Sequence, residues 1–168
     1  WGAGLAKTDC YGDSIACGQS NSPTGNFSQT SAGDLHSCAL TTDGQVVCWG
    51  HFWASDTTIP EDLRFKQLSA GFWHSCGLTT DNQVVCWGYN GFGHANPPGG
   101  SCASENSVFS RFYGDNSLSS DKYSQVSAGL VHTCAIKEDK SIACWGAGAS
   151  GETAPSNHGQ STAVEGEF

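Results

Sequence analysis

The chain has 168 residues with 22 Gly, 9 Cys and 6 Trp, no Met, 14% charged residues and a net charge of −9. Seven Lys and Arg in total cannot neutralise many phosphates, which argues against a nucleic-acid binder, and no run approaches the ~18 apolar residues of a transmembrane helix. Aromatics at 11%, with regularly placed Val, Leu and Cys, argue against disorder, while the Gly and Ser content fits many short strands and tight turns in one domain.

In chain order, the residues resolve into a repeated unit. The first copy, over about 1–26, is degraded: Gly2-Ala3-Gly4-Leu5 and Asp13-Ser14-Ile15-Ala16-Cys17-Gly18 carry its landmarks, and Lys7 stands near the place where the later copies have His. The second copy, 27–64, opens on Phe27-Ser28-Gln29 and continues as SAGDLHSCALTTDGQVVCWG over 31–50. The third, 65–122, opens on Phe65-Lys66-Gln67 and continues as SAGFWHSCGLTTDNQVVCWG, followed by a polar insertion over 90–122. The fourth, 123–168, opens on Tyr123-Ser124-Gln125 and continues as SAGLVHTCAIKEDKSIACWG. No aromatic-x-Gln precedes Trp1, and the sequence given ends on Val164-Glu165-Gly166-Glu167-Phe168, where the next aromatic falls due. A first strand supplied from the C-terminal end is therefore expected.

Within each copy the period is two, and β-branched and aromatic residues flank a turn such as Thr42-Asp43-Gly44, which is a hairpin signal. Cys38 and Cys48 face each other only if the loop centres on Asp43, which puts Gly44 where a left-handed residue is needed; Asn82 and Lys140 take that place in the later copies. Turn chemistry and spacing together assign Cys10–Cys17, Cys38–Cys48, Cys76–Cys86 and Cys134–Cys144 as cross-strand disulfides, each contributing roughly 2–3 kcal/mol. Metal binding is the competing reading, because His36, His74 and His132 each stand two residues before a Cys. Zinc sites bring Cys pairs two to four residues apart, which this chain lacks, so disulfides and no metal are expected. Cys102, inside the insertion, is left unpaired.

The pattern aromatic-x-Gln-x-Ser-Ala-Gly-x-x-His-[Ser/Thr]-Cys, closed by Cys-Trp-Gly, resembles the regulator-of-chromosome-condensation repeat. More closely it is similar to that family's cysteine-bearing extracellular branch, as in plant crinkly-type receptor ectodomains. Trp87-Gly88-Tyr89-Asn90-Gly91-Phe92-Gly93-His94 with Pro97 resembles the family's loop after the last strand. The resemblance implies an all-β propeller of antiparallel four-stranded blades, usually seven, closed by strands from both termini. About four repeats cannot fill seven blades, so the expected architecture is a small closed ring or an open array completed by neighbouring chains.

Identical repeat positions argue against a triplicated catalytic base at His36, His74 and His132; a ring nitrogen bonded to backbone in each blade is expected instead. Trp49, Trp87 and Trp145 read as packing between blades. His51, Phe52, Trp53 and Trp73 lie at non-repeated positions and are candidates for a surface that stacks on sugars or anchors a protein, with plain burial as the competing reading. Gly146-Ala147-Gly148-Ala149-Ser150-Gly151 matches the dinucleotide fingerprint in form only, since no amphipathic helix follows. No catalytic residue, metal or cofactor is expected.

Asn26-Phe27-Ser28 is an N-glycosylation acceptor, given the oxidising compartment that the cysteines imply. The absence of Met is expected to reflect cleavage of a leader before Trp1 or a piece of a longer chain. The sequence thus points to a secreted, non-enzymatic repeat protein that self-associates head to tail through Trp1 and Phe168 as a subunit of an extracellular filament or surface assembly. A lectin-like or protein-binding adhesion module is the alternative.

Overall fold

In the computed structural model the described residues are 18–51, 59, 61–99, 118–147 and 161. They form nine strands: β1 (Phe27–Ala32), β2 (His36–Thr41), β3 (Val46–Gly50), β4 (Phe65–Ala70), β5 (His74–Thr79), β6 (Val84–Gly88), β7 (Tyr123–Ala128), β8 (His132–Lys137) and β9 (Ile142–Gly146). The strands make three antiparallel sheets in the orders β1-β2-β3, β4-β5-β6 and β7-β8-β9. They stand as three successive propeller-type blades, so the chain is all-β. The degraded first copy, with Trp1, Cys10 and Cys17, lies outside the described residues, as do Cys102 and Phe168.

The hairpins are built as their turn residues require. Cys38 pairs with Cys48, Cys76 with Cys86 and Cys134 with Cys144 across the strands. The sulfurs are joined in each pair. The Gly44 N–H donates to Thr41 C=O at 3.0 Å and the Thr41 N–H to Gln45 C=O at 2.8 Å, which closes a three-residue loop. Gly44, Asn82 and Lys140 all take positive φ (86°, 67° and 74°), the left-handed conformation in which a β-carbon is crowded and Lys least favoured.

The first strand of each blade departs from simple alternation. The register slips between Phe27 and Gln29, between Phe65 and Gln67 and between Tyr123 and Gln125. One extra residue is inserted there, as in a β-bulge. Phe65 and Leu68 consequently share the buried side, three residues apart, while Gln67 between them turns toward the next blade.

Each described sheet has three strands, whereas the family resemblance implies four. Gly50, Gly88 and Gly146 end the third strands at positive φ. A β-carbon on Gly50 would meet Leu35 O at 2.6 Å, and one on Gly146 would meet Val131 O at 2.7 Å. After β6, Tyr89 makes a single bridge and the chain then folds into turns over 91–95. The Asn90 side chain holds them, with Oδ1 accepting from the Ala95 N–H at 2.8 Å and Nδ2 donating to Asn96 Oδ1 at 2.7 Å.

The apolar core lies between blades rather than within them. One cluster joins Cys38 and Leu40 of the first blade to Phe65, Leu68, Val85 and Trp87 of the second. The next joins Cys76, Leu78, Val84 and Cys86 of the second blade to Tyr123, Val126, Ala135 and Trp145 of the third. In both, a disulfide and branched aliphatics of one blade meet the aromatic, aliphatic and Trp of its successor.

Candidate functional site

The invariant polar residues of the repeat form the coupling between blades. The Gln29 amide forks onto the first strand of the next blade: Nε2 donates to Leu68 O and Oε1 accepts from Leu68 N–H, both at 2.9 Å. Gln67 makes the same fork onto Val126, both bonds at 3.2 Å. Two residues on, Ser31 Oγ accepts from Ala70 N–H and Ser69 Oγ from Ala128 N–H, at 2.9 Å each. At the hairpin end the Phe65 N–H donates to Gly44 O at 2.8 Å and the Tyr123 N–H to Asn82 O at 2.7 Å. An edge strand's free backbone groups are thus paired by side chains and a turn.

Glycine sets the distance of approach. A β-carbon on Gly33 would fall 2.4 Å from Gly71 O and 2.5 Å from the His36 ring; one on Gly71 would fall 2.3 Å from Gly129 O and 2.6 Å from the His74 ring. The Ser-Ala-Gly of each copy is therefore a close-contact motif between neighbours, with the histidine ring lying against the glycine.

The histidines bridge blades through hydroxyls, which corrects the expected bond to backbone. His36 Nε2 lies 2.7 Å from Ser75 Oγ, and His74 Nε2 lies 2.8 Å from Thr133 Oγ1. The backbone contact comes one step later, because the Thr133 hydroxyl donates to His94 O at 2.9 Å. With its proton so committed, Thr133 accepts from His74, which places the imidazole proton on Nε2. Trp145 Nε1 donates to the same carbonyl at 2.9 Å, and in the first blade Ser37 Oγ and Trp49 Nε1 share Gln19 O in the same way. Burial, then the neighbouring His51, lowers His36 to about 4; burial lowers His94 to about 4, His74 well below its ordinary value, and His132 as well. Buried and hydrogen-bonded to the next blade, His36 and His74 are couplers between neighbours.

Among the described residues the coupling set is engaged in the first two blades and more exposed in the third. Gln125 and Ser127 are exposed, whereas Gln29, Gln67, Ser31 and Ser69 are partly covered and bonded. Ile142 is 37% exposed where its counterpart Val84 is 0%. Cys134, Ile136 and Cys144 are half-buried, while Cys76, Leu78 and Cys86 are closed off. At the other end, Phe27, Val47 and Trp49 are half-buried where Phe65, Val85 and Trp87 are buried, and Thr30 and Ala32 are exposed.

The candidate aromatic surface is only partly described. Phe52 and Trp53 lie outside the described residues, and His51 is half-buried. Trp73 is half-buried within a cluster that single-residue reading missed: its ring centroid is 4.6 Å from Phe72 and 5.3 Å from Tyr89, and Tyr89 is 6.4 Å from Phe92. Its signal in the sequence is the same one that marks Trp73, aromatics at non-repeated positions. Asn26 is exposed just before β1. Among the described residues no three His, Cys, Asp or Glu gather as a metal site, and no helix is long and apolar enough to cross a membrane.

A model of the regulator of chromosome condensation (RCC1) repeat matches residues 27–52, 65–93 and 123–152. Among solved structures, the chain is similar to the CRINKLY WD40 ectodomain of the Arabidopsis thaliana receptor kinase ACR4, at 27% identity and a TM-score of 0.48 over 71% of this chain and 36% of that one. It is similar to the ectodomain of the Physcomitrella patens receptor kinase CR4, at 24% identity and 0.51 over 73% and 30%. Prp20p of Saccharomyces cerevisiae follows at 20% identity and 0.59 over 73% and 34%, a likeness of fold. The chain spans about a third of the length of each of these structures. No curated protein matches it. The matched segments are those that carry the Gln fork, the glycine approach and the histidine bridge, and the chain belongs to the RCC1 repeat family.

Proposed function

We propose that the chain is a secreted, non-enzymatic, disulfide-stapled repeat protein that associates head to tail as a structural subunit of an extracellular assembly. The observation that carries this reading is the third blade, whose Gln125 and Ser127 are exposed among the described residues, whereas Gln29, Gln67, Ser31 and Ser69 grip a following blade. An uncovered strand edge with apolar flanks favours association, and a contact between unlike ends propagates. The joined Cys38–Cys48, Cys76–Cys86 and Cys134–Cys144 pairs support an oxidising, extracellular setting. The non-enzymatic reading rests on the repeated histidines, whose uncharged rings are spent on structure. Light scattering and electron microscopy across a concentration series test the reading: mass should rise with concentration into rings or filaments, and a strictly monomeric particle would remove it.

The second reading, an adhesion module, is favoured by one observation, the half-exposed cluster of Phe72, Trp73, Tyr89 and Phe92. Rings of this kind supply stacking area for a sugar or an anchor for a protein. Glycan-array binding that is lost in Trp73→Ala while the particle stays monomeric would favour it over assembly.

A further inference from the structure

We infer that the turn over 89–96 is an acid-released plug: a proton taken up at His94 swings it out of the joint between the second and third blades while the blades stay folded. The turn follows β6 and carries one imidazole into that joint. His94 is 1% exposed, and its ring centroid lies 4.3 Å from that of His74. Tyr89 and Phe92 of the same turn close over it, with centroids at 5.9 and 6.1 Å. Neither His94 ring nitrogen has a hydrogen-bond partner, and neither has His74 Nδ1. An imidazolium would bring a charge and two N–H donors into this enclosure. The Tyr89 backbone favours the charged ring, but burial outweighs it and lowers His94 to about 4. Among the described residues the titratable groups facing the His74–His94 pair are His132 of the third blade, His36 of the first and the Tyr89 phenol. None of these is a carboxylate that could balance the charge, so the ring is solvated only by leaving.

The turn can leave as a unit because it is bonded largely to itself. The Gly93 N–H donates to Asn90 O at 3.0 Å and the Asn96 N–H to Gly93 O at 3.2 Å, beside the bonds of the Asn90 side chain to Ala95 and Asn96. Gly88 at its root and Gly93 within it hold positive φ (93° and 71°), which leaves the backbone free to pivot there. Its hydrogen bonds to the third blade, from Thr133 Oγ1 and Trp145 Nε1, both end on the carbonyl of His94 itself. Ring and carbonyl belong to one residue, fitted so closely against β9 that a β-carbon on Gly146 would fall 2.8 Å from His94 Cβ. One protonation therefore withdraws the acceptor of two bonds. The first blade supplies the contrast: there Gln19 O accepts from Ser37 and Trp49 in the same way, and a Gln side chain does not titrate.

Hydrogen exchange read by mass spectrometry on the full 168-residue chain at pH 7 and pH 5, corrected for intrinsic exchange, tests this. A ring held at about 4 when enclosed and returned to 6.5 when released raises the opening of the turn roughly twentyfold between those two conditions. Protection over 89–96 should fall by that factor, to below the protection of β5 and β8, with the near-ultraviolet circular dichroism of the folded chain retained. His94→Gln gives the third blade the side chain that the first blade uses, and the fall over 89–96 should vanish in it. A fall of equal size in His94→Gln would overturn the assignment to His94. The native chain carries a test that does not depend on the variant: exchange over 89–96 at the same rate as β5 and β8 at both pH values would show that the turn opens only when the whole chain does, and would overturn the plug.

Discussion

His74, Thr133 and His94 O form a relay in which one proton assignment satisfies two blades and a loop. Thr133 is fully buried, so Thr133→Val keeps its shape but leaves the His74 N–H without an acceptor in a buried interface. The expected cost is about 1–3 kcal/mol, read as a lower urea midpoint with an unchanged m-value. Protonation attacks the same relay. His36 and His94 are held at about 4 in the folded chain against an ordinary 6.5, and His74 lies lower than that ordinary value too. Below pH 6.5 the unfolded chain takes up protons that the folded chain refuses, so stability is full above 6.5 and falls as pH drops toward 4. By pH 4 the loss from His36 alone is on the order of 3 kcal/mol. Thermal unfolding followed from pH 7.5 downward should show the decline starting near 6.5, well above the carboxylate range. A midpoint that holds level down to pH 4.5 would contradict the burial of these rings.

At the scale of the blade, the disulfides differ in where their sulfurs lie. Cys76 and Cys86 are sealed between the second and third blades, and Cys38 is sealed between the first and second. Cys134 and Cys144 belong to the third blade and are half-buried. Thiol exchange needs in-line access to a sulfur, so limited reductant should open Cys134–Cys144 first and Cys76–Cys86 last. Differential alkylation with peptide mass mapping reads this order, and simultaneous reduction of all three pairs would contradict it. The cross-strand pairing of these cysteines is legible in the sequence because a ten-residue spacing and a left-handed turn residue fix one hairpin register. The bulges at Ser28, Lys66 and Ser124 are not legible, since an inserted residue leaves no mark in a period-two count. Nor are the interblade partners. His36 finds Ser75 and His74 finds Thr133 across 39 and 59 residues, separations set by repeat length and insertion rather than by any local pattern. The sequence shows which residues repeat; only the stacking of blades shows that they repeat because each serves its neighbour.

At the scale of the whole molecule, the proposed head-to-tail contact would have to accommodate the Asn26-Phe27-Ser28 acceptor that opens the first described blade. Asn26 stands where Arg64 and Lys122 stand before the other first strands. Those two side chains lie against the hairpin loop of the preceding blade: a β-carbon on Gly44 would be 3.3 Å from Arg64 Cδ, and Lys122 Nζ donates to Asp81 O at 2.8 Å. A docked third blade would bring its Asp139-Lys140 loop to the same place beside Asn26. A bulky, hydrated glycan at that exposed position is incompatible with such contact, while it leaves the isolated fold undisturbed. Chain secreted with a glycan at Asn26 should therefore remain monomeric, and Asn26→Gln chain from the same cells should associate at concentrations where the glycosylated form does not. Sedimentation of the two forms side by side, with glycan occupancy measured by intact mass, reads the difference. Equal association of both forms would place the docking loop away from Asn26 and detach glycosylation from control of assembly.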